Sequence, residues 1–378
     1  MPEGELSRGK ALFRLPAETA YHRIEGTATA GGDGASLPAG GFFIVPFAET
    51  ADAPAVRIEE ERHEVLPIDF EANAPLPAAA LDAEFEAVQR ASYHAAFSAA
   101  HARLADGELQ KAVLSRRKRL RLEAGVSVED LFLRACAENP DCYVALWHTP
   151  QTGCWLTATP ELLLGRDEAD GSWHTMALAG TMGRSGLNTP VSLQDWSEKN
   201  RAEQAVVSDY ISQRLRLFAT DISQGEARTF GVGNICHLRT DFSFALPDAS
   251  PAGVLRALHA LHPTPAVCGH PTDLARRLIL SLETTPRRYY SGFSGYAGNH
   301  ASAAFFVSLR CMNLRAEEAV LYAGGGLMVD STEEDEWRET ERKMQPMLRL
   351  FNLSENNIAS NRFYRNYNNY SPYKNVLQ

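Results

Sequence analysis

A chain of 378 residues is long enough to bury a large core, either as one big α/β domain or as two modest ones. Its net charge of −10 argues against nucleic acid or an anionic membrane as its main partner, and no run reaches the roughly 18 apolar residues of a membrane span. Six cysteines with no Cys-x-x-Cys pair point away from a zinc site or disulfide framework and toward a reducing cytoplasm, as does a start without a secretory pattern.

Residues 1–80 are rich in Ala, Gly and Pro and carry short alternating runs such as 41–46, which read as strands and loops. An alanine-rich stretch over 81–105 places Leu81, Phe85, Val88 and Tyr93 at helical spacing. Residues 110–120 read as a strand that ends in a basic cluster. Short strands follow at 143–148, 154–159, 162–165 and 174–178, then a long amphipathic helix over 198–218. Loops with prolines at 247–251 and 262–271 precede a helix at 272–282. Strands at 292–297, 303–311 and 320–323 lead into Gly324-Gly325-Gly326, and a last helix spans 333–351. From 353 to 378 the chain turns to Asn and Tyr without periodicity and reads as a flexible extension.

Three features stand out chemically. Glu336, Glu339 and Lys343 share one face of the last helix. On its own this reads as a solvated face with an i,i+4 ion pair; the preceding glycine run adds a loop whose backbone N–H groups can approach a ligand. Glu203, early in the 198–218 helix, offers a second helix carboxylate, and two glutamates on separate helices suit magnesium. Lys111, in an apolar strand, and Glu161, after Pro160 at a turn, both read by default as exposed.

In order along the chain lie Gln110-Lys-Ala-Val-Leu-Ser-Arg116, Ala158-Thr-Pro-Glu-Leu162, Leu178-Ala-Gly-Thr181, Lys199-Asn-Arg-Ala-Glu203-Gln-Ala-Val-Val207 and His262-Pro-Thr-Pro-Ala266. They are followed by Arg287-Arg-Tyr-Tyr-Ser-Gly-Phe-Ser-Gly295, Val307-Ser-Leu-Arg-Cys311, Ala323-Gly-Gly-Gly-Leu327 and Glu336-Trp-Arg-Glu-Thr-Glu-Arg-Lys343. Each motif alone is weak. Together they make residues 105–350 resemble the chorismate-utilising enzymes, and isochorismate synthase among them.

The resemblance implies an α/β (α+β) fold: a single large domain of two packed, mainly antiparallel sheets with outer helices. Residues 1–104 would be a loosely matched part of that fold and 105–352 the chorismate-binding core. It implies a Mg2+ ion on Glu203 and Glu339, with Glu336 acting through water. Arg310 and Tyr290 match the groups that hold the enolpyruvyl carboxylate; Gly324 and Gly326 match backbone donors, and Lys343 adds positive charge. Gly180, Thr181 and His262 would line the same site.

Glu161 matches the general acid for the departing C4 hydroxyl, and Lys111 the base that activates water for attack at C2. Hydroxide leaves poorly, so the acid needs a raised pKa; a lysine serves as base near neutrality only with a lowered one. Ammonia-using relatives carry Gln where this chain has Lys111, so the lysine points to water and to no glutamine amidotransferase subunit. Ala179 stands where lysine-nucleophile aminodeoxychorismate synthases have Lys, and Gln204 stands where the family usually has His.

The implied activity is conversion of chorismate to isochorismate by a cytoplasmic monomer, for menaquinone or siderophore synthesis. Salicylate synthase, which goes on to eliminate pyruvate, and a non-catalytic chorismate-binding homologue are the alternatives.

Overall fold

The computed structural model describes residues 7–31, 40–69, 75–183, 192–232, 235–298 and 302–354. The Asn/Tyr-rich tail, apart from Leu353 and Ser354, lies outside the described residues.

Two antiparallel leaves carry the chain. One runs in the order Arg62–Pro67, Ala20–Ala30, Arg8–Arg14, Tyr143–Thr149, Gly153–Thr159, Cys311–Arg315, Glu318–Leu327, Lys111–Leu122 and Ala78–Leu81. The other runs Val56–Glu59, Gly41–Val45, Phe293–Ala297, Ala303–Val307, Leu162–Arg166, Trp173–Gly183 and Ile235–Ala245. The long strand Ala20–Ala30 belongs to both, pairing with Arg62–Pro67 through its first half and with Val56–Glu59 through its last residues. Among the described residues, hydrogen bonding therefore joins both leaves into one 20-stranded sheet. Strands from 1–104 flank the later ones at both ends of the first leaf and extend one end of the second, so the N-terminal part belongs to the same sheets.

The facing surfaces of the leaves enclose an aromatic layer that includes Phe13, Phe42, Tyr143, Trp147, Trp155, Tyr289 and Phe306. Six helices cover the outside among the described residues: α1 (Ala83–Ala105), α2 (Val128–Glu138), α3 (Glu198–Leu215), α4 (Pro251–Leu261), α5 (Thr272–Leu282) and α6 (Glu333–Leu348). Side-chain caps set their starts: Asp82 for α1, Ser127 for α2, Ser197 for α3, Ser250 for α4 and Thr332 for α6. Helices α2 and α6 pack on the first leaf, α3 and α4 on the second.

Two differences from the sequence reading matter. Helices α2 and α4 had no counterpart in it, although Ser127 and the pair Ser250-Pro251 are start signals. Gly324-Gly325-Gly326, expected to form a loop, lies inside the strand Glu318–Leu327, opposite Ser115, Leu114 and Val113.

One buried ion pair ties the loop after α5 to this region. Arg287 grips the Glu283 carboxylate through Nε and Nη2 (2.8 and 2.6 Å) and donates to the carbonyls of Val267 and Val113 (2.7 and 2.6 Å). Arg287→Met would leave the buried Glu283 carboxylate and both carbonyls without these donors. We expect a loss of about 3–5 kcal/mol in unfolding free energy, measured by urea denaturation; a loss under about 1 kcal/mol would place the bond network outside the stability balance.

Candidate active site

A cavity opens where the first leaf meets α3 and α6. Its lining includes Glu161, Gly180, Thr181, Glu203, His237, Tyr290, Arg310, Gly324, Gly326 and Lys343, drawn from eight separate segments. The fold thus brings together most of the residues singled out from the sequence. His262 stands apart: at the end of α4 its Nε2 meets the Ser291 carbonyl (2.8 Å) and its ring packs edge-on against Phe293. It props the turn after Tyr290 and is not among the residues that line the cavity.

Lys111 is wholly buried at the head of its strand, and its Nζ lies 2.8 Å from Glu203 Oε1 without a well-aligned hydrogen bond. The reading of an exposed strand lysine fails because position 111 faces inward beneath α3. Room for the pair comes from Gly326, where a Cβ would strike Glu203 Oε1 and sit 2.8 Å from Lys111 Cε. A Cβ at Gly324 would lie 2.7 Å from the Tyr290 hydroxyl, and one at Gly325 2.6 Å from Glu336 Oε2. The glycines admit side chains rather than form a loop.

They nevertheless leave backbone groups facing the site. Val113 N–H is spent on Cys268 O (2.9 Å) and Ser115 N–H on Glu283 Oε1 (2.8 Å), so neither bonds its partner across the ladder. Gly326 and Gly324 are therefore in non-hydrogen-bonded pairs, and their own backbone groups point to the opposite edge. There Gly324 O accepts from Lys343 Nζ (3.0 Å).

Three ion pairs line this edge. Beside Lys111–Glu203, Lys343 bonds Glu339 (2.7 Å), and Lys199 bonds Glu336 Oε1 (2.7 Å), which also accepts from Ser331 Oγ. Burial works against the Lys343 and Lys199 ammonium groups, but nearby glutamates outweigh it and hold both above the ordinary lysine value. Burial also opposes the Glu203 carboxylate; Lys111, Lys343 and Lys199 win, and its pKa falls. For Glu336, burial and the Glu339 charge prevail over Lys199, and its pKa rises to about 7.

These glutamates fit a hard divalent cation in donor chemistry: oxygens from two helices, with Glu336 Oε2 buried and without a hydrogen-bond partner. Among the described residues, the three ligand atoms gathered within 4.8 Å of one another are those of Asp167 and Asp170 on an exposed turn and of His174 at the start of the next strand, so the three glutamates stand wider apart than that.

On the far wall, a bulge between Ala179 and Met182 breaks the ladder with Ile235–Ala245. Gly180 takes φ +68° there, a conformation that favours glycine. Its carbonyl meets His237 Nδ1 (2.9 Å), while His237 Nε2 meets Arg310 Nη2 (2.6 Å). Burial first, then Arg310 and Lys343, hold His237 well below the usual histidine value, so it is neutral: Nδ1 donates and Nε2 accepts. Arg310 Nη1 remains buried without a hydrogen-bond partner among the described residues. His237 escaped the sequence reading because one histidine in an alternating strand has no local signature. Lys199 was visible only as part of a motif.

Glu161 is buried, and burial raises its carboxyl to about 7 against the pull of Lys111, Lys343 and Arg310. The site therefore holds a protonatable acid, a buried lysine, a guanidinium with one nitrogen left over and a set of carboxylates around or beside one cavity.

The chorismate binding enzyme family matches residues 44–352, and the chain belongs to that family. It is 34% identical over 265 residues to isochorismate synthase DhbC of Bacillus subtilis (strain 168), a match over 67% of this chain and 65% of that relative's length. The fold superimposes on MenF, the menaquinone-specific isochorismate synthase of Escherichia coli, with TM-score 0.74 and 22% identity, covering 91% of this chain and 89% of the other. It also matches anthranilate synthase component I of Streptococcus pneumoniae TIGR4, with TM-score 0.64 and 16% identity over 92% and 93% of the chains. At those identities the two structures speak for the fold alone.

Glu161 generates a stability prediction. Its folded pKa of about 7 lies above the ordinary 4.5, so the folded chain binds the extra proton between these values and loses stability as pH rises through them. Above pH 7 the ionised carboxylate costs about 3 kcal/mol. Glu161→Gln should therefore raise the melting temperature at pH 8 and leave it nearly unchanged at pH 4.5. Equal shifts at both pH values would contradict the assigned burial cost.

Proposed function

We propose that this protein is an isochorismate synthase: it adds water at C2 of chorismate and expels the C4 hydroxyl. The observation that carries the reading is a cavity lined by the buried, raised-pKa Glu161, by Glu203 paired with the buried Lys111, and by Arg310, whose Nη1 has no hydrogen-bond partner among the described residues. Family membership and the likeness to DhbC support it.

Glu161, protonated near neutrality, gives its proton to the departing hydroxyl, which leaves as water. Lys111 acts as the base toward the incoming water, so one water enters and one leaves. Arg310 Nη1 and the Tyr290 hydroxyl receive the enolpyruvyl carboxylate. His237 holds Arg310 in plane by accepting from Nη2. Gly180 and Thr181 close the ring's other side, with Thr181 Oγ1 3.4 Å from His237 Nδ1. The edge at Gly324 and Gly326 offers backbone groups, and Lys343 offers charge.

Glu203 and Glu339, with Glu336 through water, would hold Mg2+, which when bound supplies positive charge for the ring carboxylate. Water as nucleophile needs no ammonia supply, which supports a chain that acts without a glutamine amidotransferase subunit; a monomer is the proposed state. The six free cysteines support a reducing cytoplasm. Menaquinone or siderophore synthesis is the proposed destination of the product.

The test is incubation with chorismate, with and without Mg2+, followed by chromatography of the products. Isochorismate alone, formed only with the metal, is expected. Salicylate plus pyruvate would replace the reading with the longer reaction, and anthranilate on adding ammonia would sink the assignment of water. Lys111→Gln should lower kcat by about 10²–10⁴-fold while chorismate binding persists; turnover at the unmutated rate would remove Lys111 as the base.

A further inference from the structure

We infer that Gln204 is a positioning residue that locks the Glu203 carboxylate and the Arg310 guanidinium into one register across the cavity. The inference rests on the function proposed above for its consequence in catalysis, but its structural basis is independent of the reaction.

Gln204 follows Glu203 on α3, and the turn of the helix points Glu203 at the cavity and Gln204 at the second leaf. Its side chain is buried. The bulge leaves Ala179 without a normal ladder neighbour on the Gly180 side. Gln204 Oε1 takes the Ala179 N–H (2.9 Å), and Nε2 donates to Ala177 O (3.1 Å) and Thr240 Oγ1 (3.1 Å). The carboxamide thus fastens α3 to two adjacent strands at the place where their pairing is interrupted.

From there one chain of contacts crosses the site. Ala179 is bonded covalently to Gly180; Gly180 O accepts from His237 Nδ1, and His237 Nε2 accepts from Arg310 Nη2. In the other direction, one residue along α3, Glu203 Oε1 lies 2.8 Å from Lys111 Nζ. A shift of α3 against the bulge would move the carboxylate and the guanidinium relative to each other. Gln204 blocks that shift because amide donors and acceptor are all committed. A leucine there would fill similar space with no such bonds, whereas a neutral histidine retains one donor and one acceptor.

The experiment compares the unmutated protein with Gln204→Leu and Gln204→His in three measurements. Amide exchange over residues 177–182 is read in the free protein, Mg2+ affinity by calorimetry without chorismate, and chorismate KM and kcat separately. In Gln204→Leu, Ala179 should lose exchange protection, and Mg2+ affinity and kcat/KM should each fall about tenfold or more, with circular dichroism unchanged. Gln204→His should restore all three to within about threefold, a rescue that a mere packing role would not give. The inference is overturned if Gln204→Leu leaves exchange and Mg2+ affinity as they were, or if both variants are equally impaired. If the unmutated protein fails to turn over chorismate, the proposed function falls, while exchange at Ala179 still decides the role of Gln204.

Discussion

Burial of Lys111 against Glu203 is the constraint that the rest of the site answers to. Two ions removed from water pay a desolvation penalty that their attraction repays only with good geometry and further bonds. Here the pair lies under α3, at a strand edge stripped of side chains by Gly326. Two more ammonium–carboxylate pairs, Lys343–Glu339 and Lys199–Glu336, stand along the same edge. So dense a set of buried charges is a poor way to stabilise a fold and a good way to prepare one for an anionic ligand and a cation. The aromatic layer between the leaves and the helix-covered outer faces supply the stability that this cluster does not.

The same environment gives neighbouring carboxylates opposite properties. Glu203 touches an ammonium and stays ionised, with its pKa lowered although burial opposes it. Glu161 feels Lys111, Lys343 and Arg310 only at longer range, so burial prevails and its carboxyl rises to about 7. One is then suited to hold positive charge and the other to deliver a proton, a division of labour set by contact distance rather than residue type.

The fold class and the gathering of most candidate residues were legible in the sequence; individual elements were less so. Glu161, Glu203 and Arg310 sit inside ordered motifs and converge on one cavity, with Lys111 against Glu203. Their burial was not legible, because an isolated strand lysine or turn glutamate looks exposed until the strand's inward face is known. The glycine run was misread for a physical reason: local sequence signals a loop, whereas pairing with 111–122 and crowding by Tyr290, Glu336 and Glu203 are long-range facts. His262 was placed in the cavity by its motif, yet its ring turns to the Ser291 carbonyl. The sharing of Ala20–Ala30 by both leaves likewise depends on partners distant in sequence.

The cavity lies where the sheet's own hydrogen bonding is interrupted. Beyond Tyr322 the strand Glu318–Leu327 outruns its partner Cys311–Arg315, and across the site the bulge opens the second leaf. Buried backbone groups at such breaks need partners. Side chains supply them: Lys343 for Gly324 O, Gln204 for Ala179 N–H, His237 for Gly180 O and Arg287 for Val113 O. Each of these is also charged, or adjoins or bonds a charged group, so repairing the ladder and assembling the site are a single arrangement. What that repair leaves over around the cavity includes the Arg310 Nη1 donor and the Glu336 Oε2 acceptor. A guanidinium donor and a carboxylate oxygen of that kind are matched by an anion and a cation bound together, which is the pairing that a carboxylate substrate with a divalent metal would bring.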